Sequence, residues 1–121
     1  MLAAMDFLLA HDLSRDFRTE DLSRHLDLST FHVLHLFHKH FGYSPSQVLK
    51  LRRMREARNL LESTFKSVKE IMAAVGLNDL SHFVRDFKCM YGQSPSELRK
   101  QANRIAASDR HLTQGKLRDA G

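Results

Sequence analysis

The sequence predicts an all-α fold in which one helical unit occurs twice. Three observations carry this. Apolar residues recur at helical spacing through most of the chain, and no strand pattern appears. Glycine and serine-proline punctuation divides the chain into short helices. Finally, the stretch Leu28 to Pro45 is repeated at an offset of 50: Val33 matches Phe83, Phe37 matches Phe87, His32 matches His82, Gly42 matches Gly92, and Ser44-Pro45-Ser46 matches Ser94-Pro95-Ser96. Before the turn the offset is 49, so Leu22 matches Ile71 and Leu26 matches Val75; the second copy has one inserted residue.

Leu2, Met5, Leu8 and Leu9 stand at helical spacing and predict a first helix over Leu2 to His11. Asp12 to Arg18 is a polar connection. Thr19 is suited to cap a helix from Glu20 to Leu26, with Leu22 and Leu26 inward. Ser29 or Thr30 caps the next helix, which ends at Gly42. Helix, helix, short turn, helix is a tri-helical form of helix-turn-helix. Pro45 to Ser63 predicts a longer helix. Its Val48, Leu49, Ala57, Leu60 and Leu61, with Leu51 and Met54 near by, can touch both halves. After Pro45 no glycine or proline interrupts it, so it reads as a rigid joint. Arg52, Arg53, Arg55 and Arg58 decorate it; Arg55 suits a solvated flank, and Arg53 suits either that flank or a structural pairing across the halves.

Thr64 to Lys66 is a turn, and Ser67 caps Val68 to Val75 with Val68, Ile71, Met72 and Val75 inward. Gly76 can take the positive φ that closes a tight turn. Asn78 or Asp79 caps the following helix, whose Phe83, Phe87, Met90 and Tyr91 form one apolar face. Ser81, Arg85 and Lys88 fall on the other side. Gly92 ends it, and Pro95 opens a last helix reaching about Ile105. From Ala107 apolar spacing is lost, which predicts a flexible tail. The expected divisions are 1–44, a joint at 45–63, a second unit at 64–106, and the tail at 107–121.

The 121 residues make a small domain or two subdomains, and 42% hydrophobic content is enough for a core. No apolar run approaches the roughly 20 residues that span a bilayer, and no leader with a cleavage site is evident. A single cysteine excludes an internal disulfide, and a reducing cytoplasm is the expected location. The net charge is +5, unevenly laid out. Residues 1–28 carry three basic and six acidic side chains, whereas residues 29–58 carry six basic and one acidic. A basic field concentrated in this way suits a polyanion, although a solvated helix face has the same composition.

The most specific run is Ser67-Val-Lys-Glu-Ile-Met-Ala-Ala-Val-Gly-Leu-Asn-Asp-Leu-Ser-His-Phe-Val-Arg-Asp-Phe-Lys88, followed by Tyr91-Gly92 and Ser94-Pro95-Ser96. With Arg53, Ala57 and Leu60-Leu61, it resembles the DNA-binding domain of the AraC/XylS family of bacterial transcription regulators, over roughly residues 1–101. The resemblance implies about seven helices, with two helix-turn-helix units on one linker helix. It implies that both recognition helices enter successive major grooves of double-stranded DNA, about 34 Å apart. Members of this family usually activate transcription and touch RNA polymerase. Many carry a separate effector-binding or dimerisation domain; this chain has no room for one, so it is expected to be a small stand-alone member or a fragment.

The family's base-reading positions fall on Leu80, Ser81, His82, Val84 and Arg85 in the second helix. In the first they fall on Thr30, Phe31, Leu34 and His35. Arg85 is the leading reader, since a guanidinium can bond guanine at two points; a surface salt bridge is its alternative. Asp86 is expected to point away or to hold Arg85 in place. The first helix departs from the family pattern, with His35 where arginine is usual. Histidine lacks a permanent charge, so weaker or more pH-sensitive reading is expected from this half. Phe31 and Leu34 suit thymine methyls, or else thicken the core. Phosphate contacts are expected from Lys39, Lys88, the helix N-termini at Ser29 and Asp79, and some linker arginines.

Other chemistries fit less well. His32, His35, His38 and His40 raise the idea of a metal sensor, but no Cys or acidic cluster completes a site. There is no Gly-rich phosphate loop, paired-carboxylate cleft or nucleophile elbow, so neither an enzyme nor a cofactor is expected. Cys89 reads as a small apolar filler. A helical module that binds protein would use Phe31 and Leu34, but the two basic faces argue against it.

Overall fold

The computed structural model describes residues 2–120, with side chains described for 2–108. Among these residues the chain forms seven helices: α1 (Leu2–Ala10), α2 (Thr19–Leu26), α3 (Thr30–Phe41), α4 (Pro45–Ser63), α5 (Val68–Ala74), α6 (Leu80–Tyr91) and α7 (Pro95–Ala120). The last five start alike. Ser29, Ser44, Ser67, Asp79 and Ser94 each accept the backbone N–H three residues on, at 3.0–3.2 Å. At α4, α5 and α7 the third residue, Gln47, Glu70 or Glu97, accepts the cap residue's own N–H in return. Each such cap is worth about 1 kcal/mol. Glu70 is held below its ordinary carboxylate range by the Ser67 backbone N–H first, and then by the Ser67 hydroxyl.

The apolar faces meet in two cores. The first gathers Ala4, Leu8, Leu13, Leu22, Val33, Phe37 and Leu49. The second gathers Met54, Ala57, Leu61, Ile71, Met72, Val75, Phe83, Phe87 and Leu98. The matched pairs of the repeat, Val33 with Phe83, Phe37 with Phe87 and Leu22 with Ile71, occupy corresponding places. The linker helix α4 gives Leu49 to one core and Met54, Ala57 and Leu61 to the other. Two helix-turn-helix units therefore hang on one helix.

Arginines tie this frame to backbone carbonyls at helix ends and in loops. Arg52 Nη1 donates to the Leu8 and His11 carbonyls, both at 2.9 Å. Arg99 Nε donates to the Leu61 carbonyl at 2.9 Å, and its Nη2 to Lys66 at 2.7 Å. Arg53 Nη2 donates to the Arg15 carbonyl at 3.0 Å, in the α1–α2 loop. That loop touches the second unit at Gly76, where an added Cβ would stand 1.9 Å from the Leu13 carbonyl oxygen. Arg53 is thus the structural arginine across the halves. A further link is ionic: Lys50 Nζ on α4 lies 2.8 Å from Asp86 Oδ2 on α6.

Several elements differ from expectation. In α1, Leu8 is buried as Ala4 is, but Leu2 and Leu9 are exposed. Thr19 is the first helical residue rather than the cap; Arg18 is the cap, without a side-chain bond. Asp27 takes the left-handed conformation (φ 55°) that Gly76 takes in the second copy (φ 77°). Val75 terminates α5 instead of belonging to it. Leu51 and Met90 are exposed, facing one shallow groove with Tyr43 and Gln47. Helix α7 continues to Ala120, well past Ile105. The tail expected to be flexible, 107–121, belongs to this helix as far as Ala120, and its side chains from 109 onward lie outside the described residues. No described helix is long and apolar enough to cross a membrane.

Two stability predictions follow from the contacts between the units. Gly92 has the same φ of 77° as Gly76 but open space around it. Gly92→Ala should therefore cost only the left-handed penalty, about 1–2 kcal/mol, and Gly76→Ala clearly more, in urea denaturation. Equal costs would show that the Leu13–Gly76 contact yields freely. The second concerns Asp86, whose carboxyl is held below its ordinary value of 3.8, chiefly by the hydrogen bond from Lys50; partial burial opposes this. The folded value being the lower, the stabilisation is complete above the ordinary value and disappears as pH falls through the folded one. Asp86→Asn should lower the urea midpoint at neutral pH, and its gap to wild type should close as pH drops well below 3.8. A gap that persists in acid would deny the pair this role.

Candidate nucleic-acid interface

Each recognition stretch has a buried apolar back and an open front. In α3 the back is Val33 and Phe37; in α6 it is Phe83 and Phe87. Residues two positions away lie on the opposite side of a helix. This turns Phe31, His35 and Lys39 outward on α3, with His38 alongside, and Ser81, Arg85 and Cys89 outward on α6, with Lys88 alongside; all are exposed. Helix α6 is the more firmly backed. Phe87 meets Phe83 edge-on with ring centroids 5.6 Å apart, and Tyr91 at 4.7 Å. The guanidinium of Arg58 sits 4.6 Å above the Tyr91 ring.

Of the sequence-predicted readers, Phe31, His35, Leu80, Ser81, His82, Val84 and Arg85 are exposed, while Thr30 and Leu34 are half-buried. Phe31 is 81% exposed, so it does not thicken the core, and Leu34 stands outside both cores. Ser29, Lys39, Asp79 and Lys88 are exposed as well. Ser29 caps α3 with a neutral hydroxyl. Asp79 caps α6 with a carboxylate whose other oxygen lies 3.1 Å from His82 Nδ1. The two helix starts therefore differ in charge. Cys89 is exposed, not a filler.

An open cleft of about 530 Å³ separates α4 from the first half of α6; Lys50, Arg53, Asp79, His82, Arg85 and Asp86 face it. Asp86 is its pivot. One oxygen holds Lys50, and the other stands 3.5 Å from Arg85 Nε. Of the two expectations for Asp86, holding Arg85 is the one observed. Sequence reasoning missed Lys50, because nothing local marks its partner 36 positions on. It also assigned phosphate contact to some linker arginines, yet Arg52 and Arg53 are engaged with backbone carbonyls and Arg58 with Glu62 and Tyr91. Among the described residues no group of three or more His, Cys, Asp or Glu gathers to hold a metal ion.

Comparison with known proteins places this architecture. A family model described as a helix-turn-helix domain matches residues 22–101. The regulatory protein PocR of Salmonella typhimurium is 33% identical over 103 residues, which is 85% of this chain and 34% of PocR. A transcriptional regulator of the AraC DNA-binding type from Chromobacterium violaceum superposes with a TM-score of 0.75 at 27% identity, covering 84% of this chain and 89% of that one. The DNA-binding domain of AdpA, a global transcriptional factor solved in complex with a target DNA, superposes with a TM-score of 0.72 at 26% identity, covering 81% and 87%. The chain spans about a third of the length of the first curated relatives it matches. The chain belongs to the AraC/XylS family of bacterial helix-turn-helix transcription regulators, and corresponds to their DNA-binding domain.

Proposed function

We propose that this chain reads a specific double-stranded DNA sequence with both units at once, α3 and α6 entering successive major grooves on one face of the duplex. The observation that carries the reading is the paired construction of α3 and α6: the same buried back, with Phe31, His32 and His35 exposed in the register of Ser81, His82 and Arg85. Arg85, Ser81, Leu80, His82 and Val84 read bases on α6. Thr30, Phe31, Leu34 and His35 read bases on α3. Lys39, Lys88 and the amides at the starts of α3 and α6, beside Ser29 and Asp79, meet phosphates. The two halves contribute unequally. On α6 a guanidinium stands ready for two-point recognition of guanine; on α3 the equivalent position is an imidazole, and Phe31 offers apolar contact.

The functional divisions are 1–44 and 64–106 as the two readers, with 45–63 as the strut that sets their relation. The family resemblance further supports a role as an activator that touches RNA polymerase. It also supports operation alongside an effector or dimerisation domain, since the relatives are about three times as long.

Selection of bound sites from random duplex tests the reading. The expected result is two short boxes about ten base pairs apart. On the selected site, Arg85→Ala should cost about 1–3 kcal/mol and relax preference at one position. Lys88→Ala should weaken binding to every sequence alike and reduce the salt slope by about 0.9. A single box, or equal losses from Arg85→Ala on selected and random DNA, would contradict the assignment.

A further inference from the structure

The cleft between α4 and α6 holds one carboxylate among cations, on the side where the DNA reading needs positive charge. Asp86 is the least exposed of the three, with 24% of its side chain accessible, against 56% for Lys50 and 64% for Arg85. It follows Arg85 and precedes Phe87, which is fully buried, so the α6 backbone fixes where its carboxylate points. Lys50 follows Leu49, which is buried in the first core. The carboxylate is therefore anchored by the second unit, and its stronger partner by the first.

A carboxylate near phosphates is repulsive, and here it also occupies two cations that would otherwise attract them. We infer that Asp86 acts as a charge gate on this interface: it withholds Lys50 and Arg85 from indiscriminate phosphate contact and yields Arg85 only to a base that can bond the guanidinium at two points. Lys50 stays with Asp86 throughout, neutralising it when Arg85 leaves. On random duplex both cations remain held. On the selected site Arg85 exchanges a 3.5 Å contact with Asp86 for a base edge. Asp86 is thus a positioning residue whose effect is discrimination. This rests on the DNA reading proposed above.

The test is the salt dependence of binding to selected and to random duplex. Each phosphate neutralised contributes a slope of about −0.9. Asp86→Asn frees two cations on random duplex and one on the selected site. The slope should steepen by about 1.8 on the former and about 0.9 on the latter. Discrimination at 0.1 M salt should then fall about eightfold, taking 1 M as the reference. Adding Lys50→Met to Asp86→Asn should take back about 0.9 on both duplexes. Lys50→Met alone should leave the slope on random duplex unchanged, because wild-type Lys50 touches no phosphate, and should weaken binding to the selected site, where Asp86 loses the cation that neutralises it when Arg85 leaves. Should Asp86→Asn fail to fold, the Lys50→Met measurement decides by itself. Equal slope changes from Asp86→Asn on the two duplexes, or from Lys50→Met alone a loss of slope on random duplex or no loss of affinity for the selected site, would overturn the gate while leaving the DNA reading intact. Absence of salt-sensitive binding by the wild-type chain would overturn the DNA reading and the gate with it.

Discussion

Leu49 and Met54 lie five positions apart on one unbroken helix and are buried in different cores. The rest of the structure depends on this constraint. A helix advances about 1.5 Å and turns about 100° per residue, so five residues separate the two burial sites by about 7.5 Å and 140° around the axis. The rigid backbone of α4 thereby converts a short stretch of sequence into a fixed relation between two bodies. Each body alone has a core too small for much stability. Sharing α4 lets both bury its apolar faces, and ties the orientation of each recognition helix to the other.

Polar contacts complete what the shared helix begins. Arg52 and Arg99 donate to carbonyls at the C-terminal ends of α1 and α4, where backbone donors run short. Arg53 and Gly76 bring the α1–α2 loop against the turn of the second unit. Lys50 and Asp86 reach across the remaining cleft. The basic linker is therefore largely a structural device, and the lysines exposed beside the proposed reading positions are Lys39 on α3 and Lys88 on α6. This division explains why total charge is a poor guide to the interface, and why the position of each cation matters more.

Much of this was legible in the sequence, and the exceptions share physical causes. The repeat, the Pro45–Ser63 span of α4, three of the serine and aspartate caps and the buried backs of both recognition helices all follow from local rules of spacing and capping. The inward face of α1 did not, because Leu2, Ala3, Ala4, Met5, Phe7, Leu8 and Leu9 leave almost no polar side to set its phase. Asp27 carried no clear signal either, since aspartate only tolerates the left-handed region that glycine favours. Helix α7 outruns its apolar stripe because loss of amphipathicity removes packing, not the backbone's own helical preference. The site divides in the same way. The exposed register of α3 and α6 could be read from the repeat, but the Lys50–Asp86–Arg85 cluster is created by the fold and has no local sequence pattern.

The central claim is that α4 holds the two reading helices at one fixed separation and phase. Its most direct measurement is the affinity for a selected site into which about five base pairs, half a helical turn, are inserted between the two boxes. A rigid strut predicts that the second box, turned to the far face of the duplex, goes unread, and affinity falls to that of a site keeping only one box. Undiminished affinity with the insertion would mean that the units move independently, and would contradict the account at its base.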